Sequence, residues 1–282
     1  MSGESGAVAG RLVVVGTPIG NLGDLSQRAV DALAGASVVA CEDTRRTGRL
    51  LAHVGVEASL LRLDANVERV RTPELIGLIA AGEIVALVSD AGMPALSDPG
   101  SFLIRAVRAG GFAVEVVPGP FAGAVAFVAS GLGDESGRFV FEGFLPRRGR
   151  HRADRLRAVA GSDCAAVLYE SPQRIAATVA DLLDVCGPDR RVALCRELTK
   201  LHEEVWVGSL AAAGEHLQGN RIRGEFVLVV DVADAPEPVA DQEIRERITA
   251  ELAAGASRRD AARTVADRLG VPVNRVKRLV DP

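Results

Sequence analysis

Short apolar runs alternate with helical patterns through residues 11–117, and this alternation constrains the fold more than any other feature of the sequence. The runs are LVVV (12–15), SVVAC (37–41), SLLRL (59–63), IVALVS (84–89) and FAVEVV (112–117). Strands that alternate with helices form parallel sheets whose two faces are covered by those helices. We therefore predict a parallel, doubly wound α/β domain over residues 11–117.

The pattern changes after residue 117. A turn with two prolines, VVPGPFAGAV, leads into the apolar helical segment AGAVAFVASGLG. Fewer helices separate the later strands, which are RFVFEGF, CAAVLYES, RVALCREL, EEVWVG and EFVLVVDV. The segment RELTKLHEEVWVG has the spacing of two strands joined by a short turn, which favours antiparallel pairing. We predict a second α/β domain with a mixed sheet over residues 118–233.

The last part of the chain is helical in pattern. The segment ADAPEPVAD (233–241), with two prolines and three acids, is typical of a linker. Three short amphipathic segments follow it, and Ser257 and Pro272 stand where two of them begin. We predict a small helical appendage over residues 240–282.

Composition narrows the class of protein. Hydrophobic residues make up 48% of the 282, enough for substantial cores, and the net charge of −4 leaves nucleic-acid binding to local basic patches. The four cysteines form no C-x-x-C pair, which indicates reduced thiols rather than a disulfide framework or a metal site. Neither a signal peptide nor an apolar run of ~18–20 residues is evident. We expect a cytoplasmic protein that does not enter a membrane.

The turn after the first apolar run, GTPIGNLGDL, is rich in glycine. The spacing of Gly16, Gly20 and Gly23 matches neither the G-x-G-x-x-G dinucleotide code nor a phosphate loop. Either a plain connection or a small-molecule site at the carboxyl edge of a sheet fits this stretch. Similar polar turns, CEDTRRT, SDAGMPALSDPG, PGPFAG and YESPQR, would wall a cleft between the domains if they met at one edge. Singly, each also fits an ordinary cap, turn or ion pair.

The motifs GTPIGNL, EDTRRTGRLL, LVSDAGMPALSDPG, PGPFAG, GFLPRRGRHR, YESPQR, RELTK and GEFVLVV occur in this order between Leu12 and Val230. In this the chain resembles the ribosomal RNA small subunit methyltransferase I family, a branch of the tetrapyrrole-methylase-like enzymes. The resemblance implies a dimeric two-domain methyltransferase that uses S-adenosyl-L-methionine. It also implies 2′-O-methylation of a cytidine in the decoding region of 16S rRNA, on the 30S subunit.

The resemblance further implies that the cofactor lies in the cleft between the domains. The residues that it assigns to the cofactor are Pro18, Ile19, Asp90, Ala91, Gly92, Met93, Phe121, Ala122, Tyr169, Arg196 and Gly224. Glycines at 92 and 119 would let backbone groups reach the cofactor. Methyl transfer from a sulfonium depends on alignment and proton removal, so we expect no metal.

A ribose hydroxyl is a weak acid, so a base must lie within hydrogen-bond reach of it. Our candidates are Asp43, then Lys200 with a depressed pKa, then Glu170, with Glu42 as a further carboxylate. Capping or ion pairing is an equally good interpretation of each. For RNA contact we select Arg45 and the basic run after GFLP, which includes Arg147, Arg148, Arg150 and Arg152. The arginines of the tail form a weaker basic surface.

The sequence departs from the family pattern at three places. Met93 replaces a usual threonine, Phe121 a small residue, and LDANVE (63–68) a His-rich segment. Two other functions stay open. One is a methyltransferase of the same superfamily that acts on carbon or nitrogen atoms of a tetrapyrrole, and the other is a noncatalytic RNA-binding protein of ribosome assembly.

Overall fold

The computed structural model of the chain describes residues 10–219, 222–233 and 239–280. By compactness the chain divides into two units, Met1–Ala233 and Asp234–Pro282. The first unit contains two five-stranded sheets. The predicted boundary at residue 117 falls between the last strand of the first sheet and the helix that leads to the second, and it stays a prediction. The N-terminal stretch 1–9 and residues 234–238 of the predicted linker lie outside the described residues.

The first sheet is parallel throughout. Its strands are β1 (Arg11–Val15), β2 (Val38–Cys41), β3 (Ser59–Arg62), β4 (Ile84–Leu87) and β5 (Ala113–Val117), in the spatial order β3-β2-β4-β1-β5. The helices that pack on it are α1 (Gln27–Ala34), α2 (Thr44–His53), α3 (Glu68–Ala80) and α4 (Ser101–Ala109). Leu12 and Val14 face the core beneath α3 and α4, whereas Val13 and Val15 face the core beneath α1 and α2. Burial on both faces explains the unbroken apolar run of β1 and confirms the predicted doubly wound sheet.

The second sheet is mixed, as predicted. Its strands are β6 (Phe139–Phe144), β7 (Ala165–Glu170), β8 (Arg191–Arg196), β9 (Glu204–Ser209) and β10 (Phe226–Val230), in the order β6-β7-β10-β8-β9. Only β6 and β7 pair in parallel; β10 runs antiparallel to β7 and β8, and β8 antiparallel to β9. The helices are α5 (Ala122–Ser130), α6 (Arg150–Ala160), α7 (Ile175–Cys186) and α8 (Leu210–Gly219). Ile19, from the turn after β1, packs into the core between α5 and this sheet.

The second unit consists of α9 (Asp241–Ala253), α10 (Arg258–Leu269) and α11 (Val273–Val280) in its described part. Ile244, Ile248, Val265 and Val276 form its small core. The Ser257 hydroxyl caps α10 by accepting from the Asp260 amide, and α11 begins directly after Pro272, as the pattern predicted. In the part of the chain that the structure describes, no helix combines the length and the apolarity that a membrane crossing requires.

Candidate active site

The loops that follow β1, β4 and β5 are hydrogen-bonded to one another at the carboxyl edge of the first sheet. The Thr17 amide donates to the Gly92 carbonyl at 2.9 Å, and the Gly92 amide donates to the Thr17 carbonyl at 3.0 Å. The Thr17 hydroxyl donates to the Ser89 carbonyl at 3.2 Å, and the Gly16 amide donates to the Val117 carbonyl at 3.0 Å. These bonds hold the three loops together as one wall.

Glycines allow the turns to approach each other this closely. A Cβ at Gly16 would lie 2.6 Å from Gly119 Cα, and a Cβ at Gly20 would overlap the side chain of Lys200. Gly119, which we expected to admit a cofactor, is therefore occupied by its contact with Gly16. The glycines of GTPIGN serve loop packing, which the sequence alone left open.

A cavity of about 290 Å³ lies between this wall and the second sheet. Its lining from the first wall comprises Ile19, residues 91–93 and 96–98, Phe121 and Ala122, and its lining from the second sheet comprises Phe144, residues 169–172, Leu198, Lys200 and residues 225–227. Because β10 runs antiparallel to β7 and β8, its first residues lie at the edge where those strands end. The loops at that edge thus surround a single cavity.

Aromatic rings form one side of the cavity. Phe121 and Tyr169 each contact Phe141 edge-on, with ring centroids 4.9 Å apart, and Phe144 lies 5.6 Å from Tyr169. A bulge in β6 shifts the register between Phe141 and Gly143, and Gly143 has a φ of 60°. Bulges re-aim side chains next to functional sites. Here Phe144 follows the bulge and is 53% exposed.

Four described residues other than glycine have a positive φ, and they occupy two loops of this site. They are Ala95, Ser97, Glu197 and Thr199. Each costs on the order of 1–3 kcal/mol and persists only where surrounding contacts impose it. Their concentration in the loops before α4 and after β8 supports a functional role for the cavity.

The cavity collects most of the predicted cofactor residues. Those that line it are Ile19, Ala91, Gly92, Met93, Phe121, Ala122 and Tyr169. The cavity lining does not include the other four predicted residues, Pro18, Asp90, Arg196 and Gly224. Arg196 pairs with Glu204 at 2.8 Å on the edge strand, and Gly224 makes room for Glu197, whose carboxyl carbon would lie 2.6 Å from a Cβ at this position.

The carboxylates of Asp90 and Asp43 form hydrogen bonds and ion pairs at the start of α2. The Asp90 carboxylate accepts the Asp43 amide at 3.1 Å and pairs with Arg46 at 3.3 Å. Asp43 caps the helix by accepting the Arg45 amide at 2.8 Å, and the Arg45 guanidinium also donates to it. The hydrogen bonds from Arg45 hold the pKa of Asp43 well below its usual range. Asp43, outside the cavity lining, is therefore a weak base, contrary to our first choice.

Lys200 lines the cavity, but its ammonium is held by two carboxylates. It donates to Glu197 at 2.8 Å and to Glu225 at 2.9 Å. Partial burial lowers the pKa of Lys200, yet the hydrogen bonds and charges of Glu197 and Glu225 together outweigh burial and raise it. The expected depressed pKa is wrong, because a lysine between two carboxylates keeps its proton.

Glu170 also borders the cavity, but it belongs to a buried polar network. It is 2% exposed. One carboxylate oxygen accepts the Ser171 amide at 2.8 Å, and the other accepts the Thr178 hydroxyl at 2.7 Å and pairs with Arg174 at 3.3 Å. Arg152 extends the network by donating to Thr178 at 3.0 Å. Its contacts indicate a structural role for Glu170 rather than that of a base.

Arg152, expected to contact RNA, is 9% exposed. Besides Thr178, its guanidinium donates to Asp181 at 2.8 Å and to the Pro146 carbonyl at 3.0 Å. Its position on α6 turns it inward, so the structure corrects this assignment. Arg147 and Arg148, by contrast, are exposed and have no carboxylate partner among the described residues. Arg150 is exposed and lies 3.7 Å from Asp154, and Arg45 is exposed at the start of α2.

A second groove of about 550 Å³ shares Ser171 with the cavity. Its lining comprises Arg147, Arg152, Ser171, Gln173, Arg174, Ala177, Thr178 and Asp181. The groove links the exposed start of the arginine run to the cavity rim. Gln173 and Arg174 belong to the YESPQR motif, whose link to this groove was not recognised from the sequence.

Asp98 is a further carboxylate of the lining, and it lies in the SDAGMPALSDPG motif, which by its sequence also fits an ordinary turn. Burial, with the charges of Glu42 and Asp90, raises the pKa of Asp98 to about 6, although a hydrogen bond from Ser89 opposes this. Burial also raises the pKa of Glu42, and the charges of Asp90 and Asp64 add to the effect. Despite these carboxylates, no group of three or more such side chains among the described residues is arranged to hold a metal ion.

Phe144, Asp98, Leu198 and Glu225 also line the cavity and were not selected from the sequence. Each stands inside a quoted motif, namely GFLPRRGRHR, SDAGMPALSDPG, RELTK or GEFVLVV. The signal available in the sequence was that each of these four residues belongs to a motif that ends or begins a strand. Which side chain of each motif turns inward depends on bulges and loop conformations.

A parallel sheet and a mixed sheet that share a cavity at one edge define a two-sheet α/β enzyme of the methylase type. The family model for tetrapyrrole (corrin/porphyrin) methylases matches residues 11–214. The chain is 39% identical over 266 residues to ribosomal RNA small subunit methyltransferase I of Synechocystis sp., covering 93% of this chain and 94% of that relative. It is 43% identical over 265 residues to the protein of that name from Xylella fastidiosa, covering 93% and 96%. The chain belongs to the tetrapyrrole methylase family and, within it, to the ribosomal RNA small subunit methyltransferase I family.

Solved structures share the fold. Uroporphyrin-III-C-methyltransferase from Thermus thermophilus superposes with a TM-score of 0.56 at 25% identity, covering 79% of this chain and 94% of that one. A structure of the Thermus thermophilus enzyme in complex with S-adenosylhomocysteine gives a TM-score of 0.57 at 20% identity, covering 78% and 96%. These likenesses confirm the predicted fold class, and family membership confirms that the chain is a methyltransferase.

Proposed function

We propose that this protein transfers a methyl group from S-adenosyl-L-methionine to the 2′-hydroxyl of a cytidine in the decoding region of 16S rRNA, on the 30S subunit. The observation that carries the proposal is that a cavity, an exposed aromatic ring and a groove lie next to one another. A cavity with carboxylates in its lining adjoins an exposed aromatic ring, Phe144, and a groove that leads to exposed arginines. The names of the relatives support rRNA as the substrate.

The lining of the cavity suits S-adenosyl-L-methionine, which carries a nucleoside, a sulfonium and an ammonium group. Ile19, Ala122 and Val227 provide apolar walls, while Asp98 and Glu225 provide negative charge for the cations. Gly92 has a φ of 80°, and a Cβ there would lie 3.2 Å from the Pro120 carbonyl, so the backbone itself forms this part of the surface. When bound, the cofactor supplies an electrophilic methyl group on a good leaving group.

The main task of the protein in such a reaction is positioning. Correct alignment of oxygen, methyl carbon and sulfur contributes up to ~7–11 kcal/mol in well-oriented systems. The hydrogen-bonded wall formed by Thr17 and Gly92 and the strained loops around Ser97 and Thr199 are rigid supports of the kind that this alignment needs. Apolar walls exclude water from the reacting oxygen.

The rim of the cavity has the chemistry of single-stranded RNA recognition. Single-stranded RNA is bound by stacking of splayed bases on aromatic rings and by arginine contacts to phosphates. Phe144 offers an exposed ring at the cavity edge. Arg147 and Arg148 follow Phe144 after Leu145 and Pro146. With Arg150 and Arg45 they are the arginines that we assign to phosphates.

A homodimer in the cytoplasm is part of the proposal. Val128 on α5 and Leu201 before β9 are 79% and 92% exposed, and exposed apolar side chains of this kind support self-association. Light scattering of the purified protein measures the oligomeric state directly. A monomer at micromolar concentration would contradict the dimer.

The test of the activity is methyl transfer from tritiated cofactor to three acceptors, followed by nucleoside analysis. The acceptors are 30S subunits that lack the modification, free 16S rRNA and a porphyrinoid. Label in 2′-O-methylcytidine supports the proposal. Label on the porphyrinoid alone would identify a tetrapyrrole methyltransferase, and binding to 30S without any transfer would indicate an assembly factor.

A further inference from the structure

The groove that shares Ser171 with the cavity has a positively charged lining. Its volume is about 550 Å³, against about 290 Å³ for the cavity. Its described lining contains three arginines, Arg147, Arg152 and Arg174, and one carboxylate, Asp181. An excess of positive charge in a concave surface attracts an anionic ligand.

The Arg174 guanidinium is held in place through one of its nitrogens. Nη2 donates to the Leu145 carbonyl at 2.9 Å and lies 3.3 Å from the Glu170 carboxylate. Nε and Nη1 have no acceptor within the described ranges, and the side chain is 27% exposed. The guanidinium therefore offers two donors in a fixed orientation, which is the geometry that binds a phosphate through two hydrogen bonds.

Two more polar side chains of the groove are available to a ligand. Arg147 is exposed without a carboxylate partner, and Gln173 is exposed with an amide that bonds to no other residue in the described part of the chain. Arg152, by contrast, is saturated by its bonds to Asp181 and the Pro146 carbonyl. Guanidinium groups bind phosphates, and an amide supplies both a donor and an acceptor to the edge of an unpaired base.

The place of the groove relates it to the reacting ribose. In RNA the 2′-oxygen and the 3′-phosphate are carried by neighbouring carbons of one ribose, so a 2′-hydroxyl inside the cavity brings the 3′-phosphate to the cavity rim. Ser171 lies on this rim, and Arg174 contacts Glu170, which lines the cavity. Contacts to phosphates fix the register of a nucleic acid on a protein.

We propose that the groove binds the nucleotide on the 3′ side of the methylated cytidine, an inference that rests on the function proposed above. Arg174 and Arg147 bind the phosphate that links the two nucleotides. The amide of Gln173 forms hydrogen bonds with the edge of the following base. Because the bound phosphate is attached next to the 2′-oxygen, its capture fixes that oxygen relative to the cavity.

The first test compares Arg174→Gln and Gln173→Ala with the wild-type protein and with Arg138→Gln, a change at an exposed arginine that pairs with Asp163 outside the groove. Binding of unmethylated 30S subunits is measured by filter binding at several salt concentrations. S-adenosylhomocysteine affinity is measured by calorimetry.

For Arg174→Gln we expect the affinity for 30S subunits to fall at least about tenfold, and the slope of log affinity against log salt to decrease by about 0.7. For Gln173→Ala the affinity should fall about two- to tenfold with an unchanged slope, because an amide carries no charge. Gln173 has no described protein partner, so its removal leaves the fold intact. Both variants should bind S-adenosylhomocysteine as wild type does, and Arg138→Gln should match wild type throughout.

A second measurement addresses the phosphate itself. 30S subunits are reconstituted with 16S rRNA that carries one uncharged methylphosphonate on the 3′ side of the target cytidine. This modification should weaken wild-type binding at least about tenfold but Arg174→Gln binding less than about threefold, because both changes remove the same contact. A merely structural role of Arg174 would make the modification equally harmful to both proteins.

Four results would overturn the assignment. They are an Arg174→Gln affinity for 30S subunits within about threefold of wild type, a Gln173→Ala affinity equal to wild type, an equal effect of the methylphosphonate on wild type and Arg174→Gln, and weakened S-adenosylhomocysteine binding in either variant. Methyl transfer by the wild-type protein is measured on the same unmodified subunits. Absence of this transfer would overturn the proposed function and the groove assignment together, whereas transfer combined with any of the four results overturns the groove assignment alone.

Discussion

Replacing Glu170 by alanine should destabilise the first unit strongly. The carboxylate is 1% exposed and accepts the Ser171 amide and the Thr178 hydroxyl while pairing with Arg174. Removing one partner of a buried ion pair costs about 3–5 kcal/mol. Because the Arg174 side chain is 27% exposed and keeps its bond to the Leu145 carbonyl, we expect the lower end, about 3 kcal/mol.

This loss corresponds to a fall in Tm of about 6–12 °C, at roughly 2–4 °C per kcal/mol for a unit of this size. Trp206 is the single tryptophan of the chain and lies in β9, so its fluorescence follows unfolding of the first unit. Thermal and urea unfolding monitored at Trp206 measure the change. Glu170→Gln keeps the volume but only one acceptor oxygen, so its loss should be intermediate.

Asp163→Ala is the control, because Asp163 pairs with Arg138 at the surface and exposed ion pairs contribute about 0–1 kcal/mol to stability. If Glu170 were instead a catalytic base, its removal would leave the stability of the protein unchanged or raise it, because functional carboxylates are held at a cost in stability. A Glu170→Ala Tm within 2 °C of wild type would therefore refute the structural role and return Glu170 to the list of bases.

Three further predictions concern the loops and the RNA surface. Gly16→Ala places a Cβ 2.6 Å from the backbone of the facing turn and should weaken S-adenosylhomocysteine binding at least about tenfold, as measured by calorimetry. Gly23→Ala, in exposed surroundings, should leave this affinity unchanged. Equal affinities of the two variants would refute the packing argument. Phe144→Ala should raise the KM for 30S subunits about 5- to 150-fold, from a stacking contribution of about 1–3 kcal/mol, while Phe144→Trp retains affinity. An unchanged KM in the alanine variant excludes stacking. Reversing the charges of Arg147 and Arg148 should reduce the slope of log affinity against log salt by about 1.4, measured by filter binding, with cofactor affinity intact, and an unaltered slope would exclude this surface.

The fold could be predicted from local sequence because its signals are short-range. The apolar runs of β1 and β4 alternate with helices, and RELTKLHEEVWVG shows its hairpin directly in the spacing. Ser257 and Pro272 mark helix starts by capping chemistry that depends only on neighbouring residues. These elements appear where the pattern predicted them.

The site was predicted in outline but not in its chemistry. The motifs that converge on the cavity were identified, yet the roles of Lys200 and Arg152 depend on partners distant in sequence. Lys200, in the loop between β8 and β9, meets Glu225, which directly precedes β10, and Arg152 on α6 meets Asp181 on α7. A one-dimensional pattern does not show which charges become neighbours, and those neighbours set each pKa.

The role of the segment LDANVE (63–68) likewise depends on tertiary contacts that its sequence does not show. The sequence showed only that it replaces a His-rich segment of the family, whereas in the structure Glu68 accepts the amides of Gly100, Phe102 and Leu103 at 2.9–3.1 Å and so caps α4. By itself the sequence determined two covered sheets, a helical tail and a family, because periodicity and motif order are encoded locally. Only the tertiary structure decided that the pKa of Asp98 is raised, since burial and the nearness of Glu42 and Asp90 arise when separate strand ends meet.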